Sequence, residues 1–337
     1  MQKQNNNVLS DLHNLVTWHY GQNYPFNGCM KLIMEKIGRY DLADYWLFAG
    51  ISGDSFTFCY SNNGEYNDCL SVVTNGPIFI RYMFESIGYE HTYVGKEQIN
   101  SNKEFLIEKV INYIDKGTPV LVRFAAGKHG NYQVICGYEN NGQTLLFLDG
   151  DATEPARLDT TQEIKDDWIF IGDRIKDINI AKLYRDSVLR IPQWLRISEN
   201  ENGVSFGANG FYKWADDIDN GRYTSLTSDT FDSWRDYTIY VCNLATNSSG
   251  SKNFLSKAYE LNPDLTFIPE IIKIYCHVGG NQPGELWSDL ENLSGGFNVT
   301  IEILQDKEKR KAIADKIREI GECMEKVIHI FNKYGEF

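Results

Sequence analysis

Three residues of this 337-residue chain have the types and the order that thiol chemistry requires. Cys29 can serve as a nucleophile. Gln22, seven residues earlier, can offer a side-chain amide to an oxyanion, and Asp149 can orient an imidazole, with Asp151 as its substitute. Such chemistry needs four parts: a thiolate near a helix N-terminus, an imidazole that takes and returns a proton, a group that orients the imidazole, and an oxyanion donor. Each residue also has a plainer reading. An isolated cysteine in a helix is commonly a small buried hydrophobe. Asp149-Gly150-Asp151 is ordinary turn chemistry, and a glutamine before a helix says nothing alone.

The elements that must position these residues follow from periodicity. Met30, Ile33, Met34 and Ile37 fall at i, i+3, i+4 and i+7, the stripe of a helix with one buried face. Asn27 is the expected cap and Gly38 the expected stop. Cys29 is thereby expected in the first turn, where unpaired N–H groups and the macrodipole favour a thiolate. A Gly-, Ser-, Asn- and Asp-rich loop is expected over 49–67. Helices follow over 77–87 and 102–115, the latter stopped by Gly117. The period then changes to two. Residues 119–126, 131–139 and 144–150 read as strands, 168–172 as a further one, and Asn140-Asn141-Gly142 as a hairpin turn.

Helices first and an antiparallel sheet second make an α+β arrangement. Beyond residue 176 the chain reads as mostly helical. Its clearest element, 307–331, carries Ile313, Ile317, Ile320, Met324 and Val327 on one face. That face is expected to pack on the first domain or on a second subunit. The expected division is 1–175 and 176–337.

The stretch NGCMKLIMEKIGRYDLADYWLFAGISGDSFTFCYS resembles the opening of the butirosin biosynthesis protein H family, in its N-terminal domain. TPVLVRF and NYQVICGYENNGQTLLFLDGD resemble that family's later strands. More distantly, the pattern is similar to bacteriocin-processing cysteine peptidases. FGANGFYKWADDI (206–218) and the final IADKIREIGECMEKVIHIF are similar to the helical domain that often follows. The resemblance implies a papain-like cysteine-peptidase fold, a Cys-led central helix with an antiparallel sheet, carrying a Cys/His/Asp site. It implies acyl transfer from a carrier-protein thioester to an amine. Carried over by position, the nucleophile is Cys29, the orienting carboxylate Asp149, and the base position 131.

Position 131 is asparagine. An amide does not accept a proton at neutral pH, and a general base contributes about 10²–10⁴-fold. His129 can replace it. Two residues earlier on an extended strand, it would share the face of Asn131 but sit about 6.6 Å further along. Contact with Cys29 would then need a bulge or bend, for which Gly127 and Gly130 are suited. His129 reads equally as a solvated loop histidine beside Lys128. His19 is a weaker candidate, and His13, His91, His277 and His329 read as ordinary surface or core residues.

The bulk numbers bound the partners. A net charge of −13 repels phosphate backbones and anionic bilayers, so neither nucleic acid nor a membrane surface is an expected partner. It favours a cationic ligand such as a polyamine or an aminosugar. The N-terminus lacks a signal-peptide pattern and the seven scattered cysteines form no CxxC pair, which fits reduced thiols in a cytoplasm. No motif calls for a metal or cofactor. Two functions stay open. One is a thiol hydrolase or acyltransferase with a small-molecule or peptide substrate, or an acyl carrier protein. The other is a retired hydrolase fold that binds a peptide or small amine, with Tyr132, Tyr138 and Trp168 as contacts. A homo-oligomer is left open as well.

Overall fold

A computed structural model describes residues 4–61, 76–123, 132–197 and 203–334. The chain divides into two compact units: Met1–Phe48 with Asn75–Ile180, and Ala49–Thr74 with Ala181–Phe337. Helix and antiparallel sheet are both present, an α+β arrangement.

The first unit is built on a seven-stranded antiparallel sheet. Its strands are β1 (Asn7–Val8), β3 (Tyr89–Val94), β4 (Val120–Arg123), β5 (Tyr132–Glu139), β6 (Thr144–Leu148), β7 (Ala156–Asp159) and β8 (Asp167–Arg174). They run in the order β3-β8-β4-β5-β6-β7, and β1 pairs with β5 at Gly137 and Tyr138, past the reach of β4. Helix α1 (Pro25–Lys36) packs on β4 and β5, with Phe26 edge-on to Tyr132 at 4.8 Å. On the other face, Leu106, Val110, Ile111 and Ile114 of the helix Lys103–Asp115 join Val120, Val122, Ile135, Leu145, Phe147 and Phe170 in one core. A sheet covered on both faces explains why its central strands read as near-continuous apolar runs.

Local signals hold where backbone geometry is demanding. Asn140, Asn141 and Gly142 all take positive φ, at 52°, 53° and 87°, and join β5 to β6. A Cβ on Gly142 would also lie 2.5 Å from Ile107, so glycine is required twice over. Gly38, with φ +75°, ends α1 in a Schellman motif: Arg39 N–H donates to the Met34 carbonyl and Gly38 N–H to that of Glu35. The strands β3 and β7 were not expected from the sequence. Both lie at sheet edges and lack the doubly buried apolar run of the centre.

The second unit pairs β2 (Cys59–Ser61) with β9 (Val204–Phe206), and the rest of its described residues are mainly helical. The loop expected over 49–67 is corrected in part. Its first residues finish the helix Tyr45–Ser52, and Cys59–Ser61 is a strand, because buried Phe56, Phe58 and Tyr60 anchor it. Helix Lys307–Tyr334 runs along helix Gly207–Asp219 and buries Ile313, Ile317, Ile320, Met324 and Val327. Its apolar stripe is thus covered within its own unit, not by the first domain or another subunit as expected. Gly321 permits the approach, since a Cβ there would lie 2.7 Å from Tyr212. No helix among the described residues is long and apolar enough to cross a membrane.

Candidate active site

Helix α1 begins two residues before the expected cap. Pro25 occupies its first position, where a fixed φ and a missing N–H cost nothing. Asn27 is therefore a buried third residue of the helix and not its N-cap, which is Tyr24. Cys29 is the fifth residue, just beyond the stretch of unpaired N–H groups, and is 0% exposed. Pro25 was the signal in the sequence that marked this start.

A strap of chain ahead of α1 ties the Cys29 region to the end of β6. Gly28 lies so close beneath Leu15 that a Cβ there would be 1.7 Å from the Leu15 carbonyl oxygen. Leu15 and Val16 in turn donate their N–H groups to the Gly150 carbonyl, at 2.8 and 3.1 Å. Thr17 and Gln22 then pair across a tight turn closed by Gly21, and Trp18 Nε1 donates to Asp151 Oδ2 at 3.1 Å. The neighbours of Cys29 and Asp149, and Gln22 itself, are thus fixed to one short segment.

Burial raises the Cys29 pKa well above the ordinary thiol range, and the negative charge of Asp149 raises it further. Only the backbone N–H of Cys29 works in the other direction. Among the described residues, burial and Asp149 thus oppose the thiolate expected at Cys29. The helix terminus cannot offset burial because Cys29 sits a full turn inside.

Gln22 is half-buried and makes no side-chain hydrogen bond among the described residues. It lines a cleft of about 380 Å³ together with His13, Asn14, Thr17, Gly28, Lys31 and Tyr45. Asp151 spends its carboxylate on Trp18. His129 and Asn131 lie outside the described residues. His19 is exposed and stacks edge-on against Tyr20. Tyr132, Tyr138 and Trp168, expected as ligand contacts, are core residues with 1%, 0% and 0% exposure, held there by the two-sided burial of the sheet. Among the described residues no group of three His, Cys, Asp or Glu gathers as a metal site would, and all six described cysteines are free.

The cleft also contains residues the sequence did not single out. His13 is not an ordinary surface histidine: its Nε2 faces Glu35 Oε2 at 2.6 Å and its Nδ1 faces the Asn14 carbonyl at 3.0 Å. Lys31 lies three residues beyond Gly28 on the same helix face, which is the one spacing that could have pointed to it.

Residues 26–174, under half of the chain, match the model of the Peptidase_C39 like family. The matched stretch opens three residues before Cys29 and closes at the last residue of β8, so it contains α1 from its second residue, the central strands and Asp149. This supports a cysteine-peptidase type of function for that part of the chain. No curated protein matches the chain at a significant level.

Proposed function

We propose that residues 1–175, apart from the stretch 49–74 that belongs to the second unit, form a papain-like cysteine hydrolase or acyltransferase domain in which Cys29 becomes acylated, and that 176–337 serve, with that stretch, as a helical accessory domain. What supports this reading is Cys29 in the first turns of α1, with Gln22 on the strap that packs against its neighbour Gly28 and is bonded to Gly150, the residue after Asp149. In the proposed reaction the Cys29 proton passes to an imidazole, for which His129 is the candidate. Sulfur attacks the substrate carbonyl, the amide of Gln22 donates to the developing oxyanion, and the leaving group departs with the proton. Water or an amine then releases the acyl group. Asp149 holds the imidazole cation, and the same charge that raises an isolated thiol stabilises a thiolate–imidazolium pair once that cation stands between them.

Acyl transfer in secondary-metabolite biosynthesis, with an acyl carrier protein as donor, rests on the butirosin biosynthesis protein H resemblance. A cytoplasmic setting, a small-molecule or peptide substrate and self-association belong to the same reading. A second reading, an inactive hydrolase fold that binds a small ligand, is favoured by Asn131 at the base position and by the full burial of Cys29.

Alkylation by iodoacetamide, followed residue by residue in a mass spectrometer, tests the choice. Cys276 is the one cysteine among the described residues that is not buried, so accessibility alone would make it react before Cys29. An active site predicts the reverse order, lost in His129→Ala. If Cys29 lags behind Cys276 in the native chain but overtakes it in Asn131→His, the site is an inactivated one.

A further inference from the structure

The cleft beside α1 has a charge and a hydrogen-bonding state unlike the chain that carries it. The whole sequence has 46 acidic residues against 33 basic ones, yet no carboxylate is among the residues lining this cleft. Lys31 and His13 are. His13 turns its two ring nitrogens to the Glu35 carboxyl group and the Asn14 carbonyl, at 2.6 and 3.0 Å. Glu35 is thereby committed to His13. Lys31 Nζ stays 3.7 Å from the other Glu35 oxygen, too far for a hydrogen bond. Lys31 is left with a loose ion pair, its ammonium unspent on any hydrogen bond among the described residues.

The neutral groups point the same way. Among the described residues the side chains of Asn14, Thr17 and Gln22 make no hydrogen bond. Three unspent polar side chains and a loosely paired ammonium around about 380 Å³ form a lining that a polar anion would complete.

We propose that this cleft is a carboxylate-binding subsite, with Lys31 as its cation and Thr17 and Asn14 as its neutral partners, which leaves Gln22 for the oxyanion. Its role as a substrate subsite rests on the thiol-enzyme reading above: the substrate would then carry a carboxylate close to the bond that Cys29 attacks. Long-range charge favours an amine-bearing ligand, but it is screened within about 10 Å at ordinary ionic strength, whereas these groups act at contact.

Succinate and its neutral diamide, succinamide, are suitable probes for the full chain, with binding followed by NMR chemical-shift titration. The expected result is that succinate binds about tenfold or more tightly than succinamide, and that added salt weakens only succinate. Lys31→Met is expected to abolish the difference and Lys31→Arg to retain it, with succinamide unchanged in both. Equal binding of the two probes, no succinate binding, or an undiminished preference in a folded Lys31→Met would overturn the proposal. Should Lys31→Met fail to fold, Lys31→Gln gives the same comparison. The two readings fail separately. Selective succinate binding with an unreactive Cys29 sinks the enzyme and keeps the subsite, whereas a reactive Cys29 without succinate binding does the opposite.

Discussion

In the second unit, the Tyr60 hydroxyl donates to Asp217 at 2.6 Å while accepting from Arg222 at 2.6 Å, and Arg222 reaches Asp217 at 3.3 Å. Tyr240 and Tyr223 donate to the carbonyls of Ser61 and Asp236, both at 2.9 Å. Burial pushes the Tyr240 hydroxyl up to about 12, so it stays protonated and keeps donating. Around the cleft of the first unit the opposite holds. The side chains of Asn14, Thr17 and Gln22 carry donors and acceptors that no described residue uses. A polar cluster whose members satisfy one another holds a fold together. One whose members stay unspent contributes little to folding and keeps its capacity for a ligand.

Mutations should separate the two clusters by what they change. Asp217→Ala leaves a half-buried guanidinium without its carboxylate and is expected to cost about 3 kcal/mol of stability, read by denaturant unfolding, with no change in Cys29 labelling. A loss under about 1 kcal/mol would show that the network is not structural. Gly28→Ala must push the strap off α1, since no Cβ fits 1.7 Å from a carbonyl oxygen. It should cost about 2 kcal/mol and alter Cys29 labelling as well, because the strap also holds Gln22 and Gly150.

Asp149→Asn removes the charge that raises the Cys29 thiol. The sign follows directly: a lower thiol pKa means more thiolate at a fixed pH near 8, hence faster alkylation. Slower alkylation would mean instead that Asp149 works through an imidazolium that promotes the thiolate. The smallest effects are expected at the cleft. Asn14→Ala and Thr17→Ala should leave stability within about 0.5 kcal/mol, as for surface positions away from packing. A drop above 1 kcal/mol at either would place that side chain in the folded network and weaken the contrast with Tyr60 and Asp217.

Much of the fold was legible in the sequence because single residues enforce local geometry. Asn140-Asn141-Gly142 and Gly38 adopt positive φ that other residues resist, and the apolar runs of β4, β5, β6 and β8 require burial on both faces. The start of α1 was legible too, in Pro25, although an asparagine two residues on offered a competing cap. Edge strands β3 and β7 were hidden, because a strand with one partner needs no buried run.

The sequence by itself determined the identity and order of Gln22, Cys29 and Asp149, since these are fixed by chain chemistry and by the elements that carry them. Tertiary structure decided their environment. Burial and the Asp149 charge push the Cys29 thiol up, whereas its position on a helix had suggested a lowered one. Packing also turned Tyr132, Tyr138 and Trp168 into core and made a cleft of His13, Asn14, Thr17 and Lys31. The physical reason is common to all of these. Dielectric, exposure and charge proximity depend on which distant segments meet, and no periodicity along a single segment encodes that meeting.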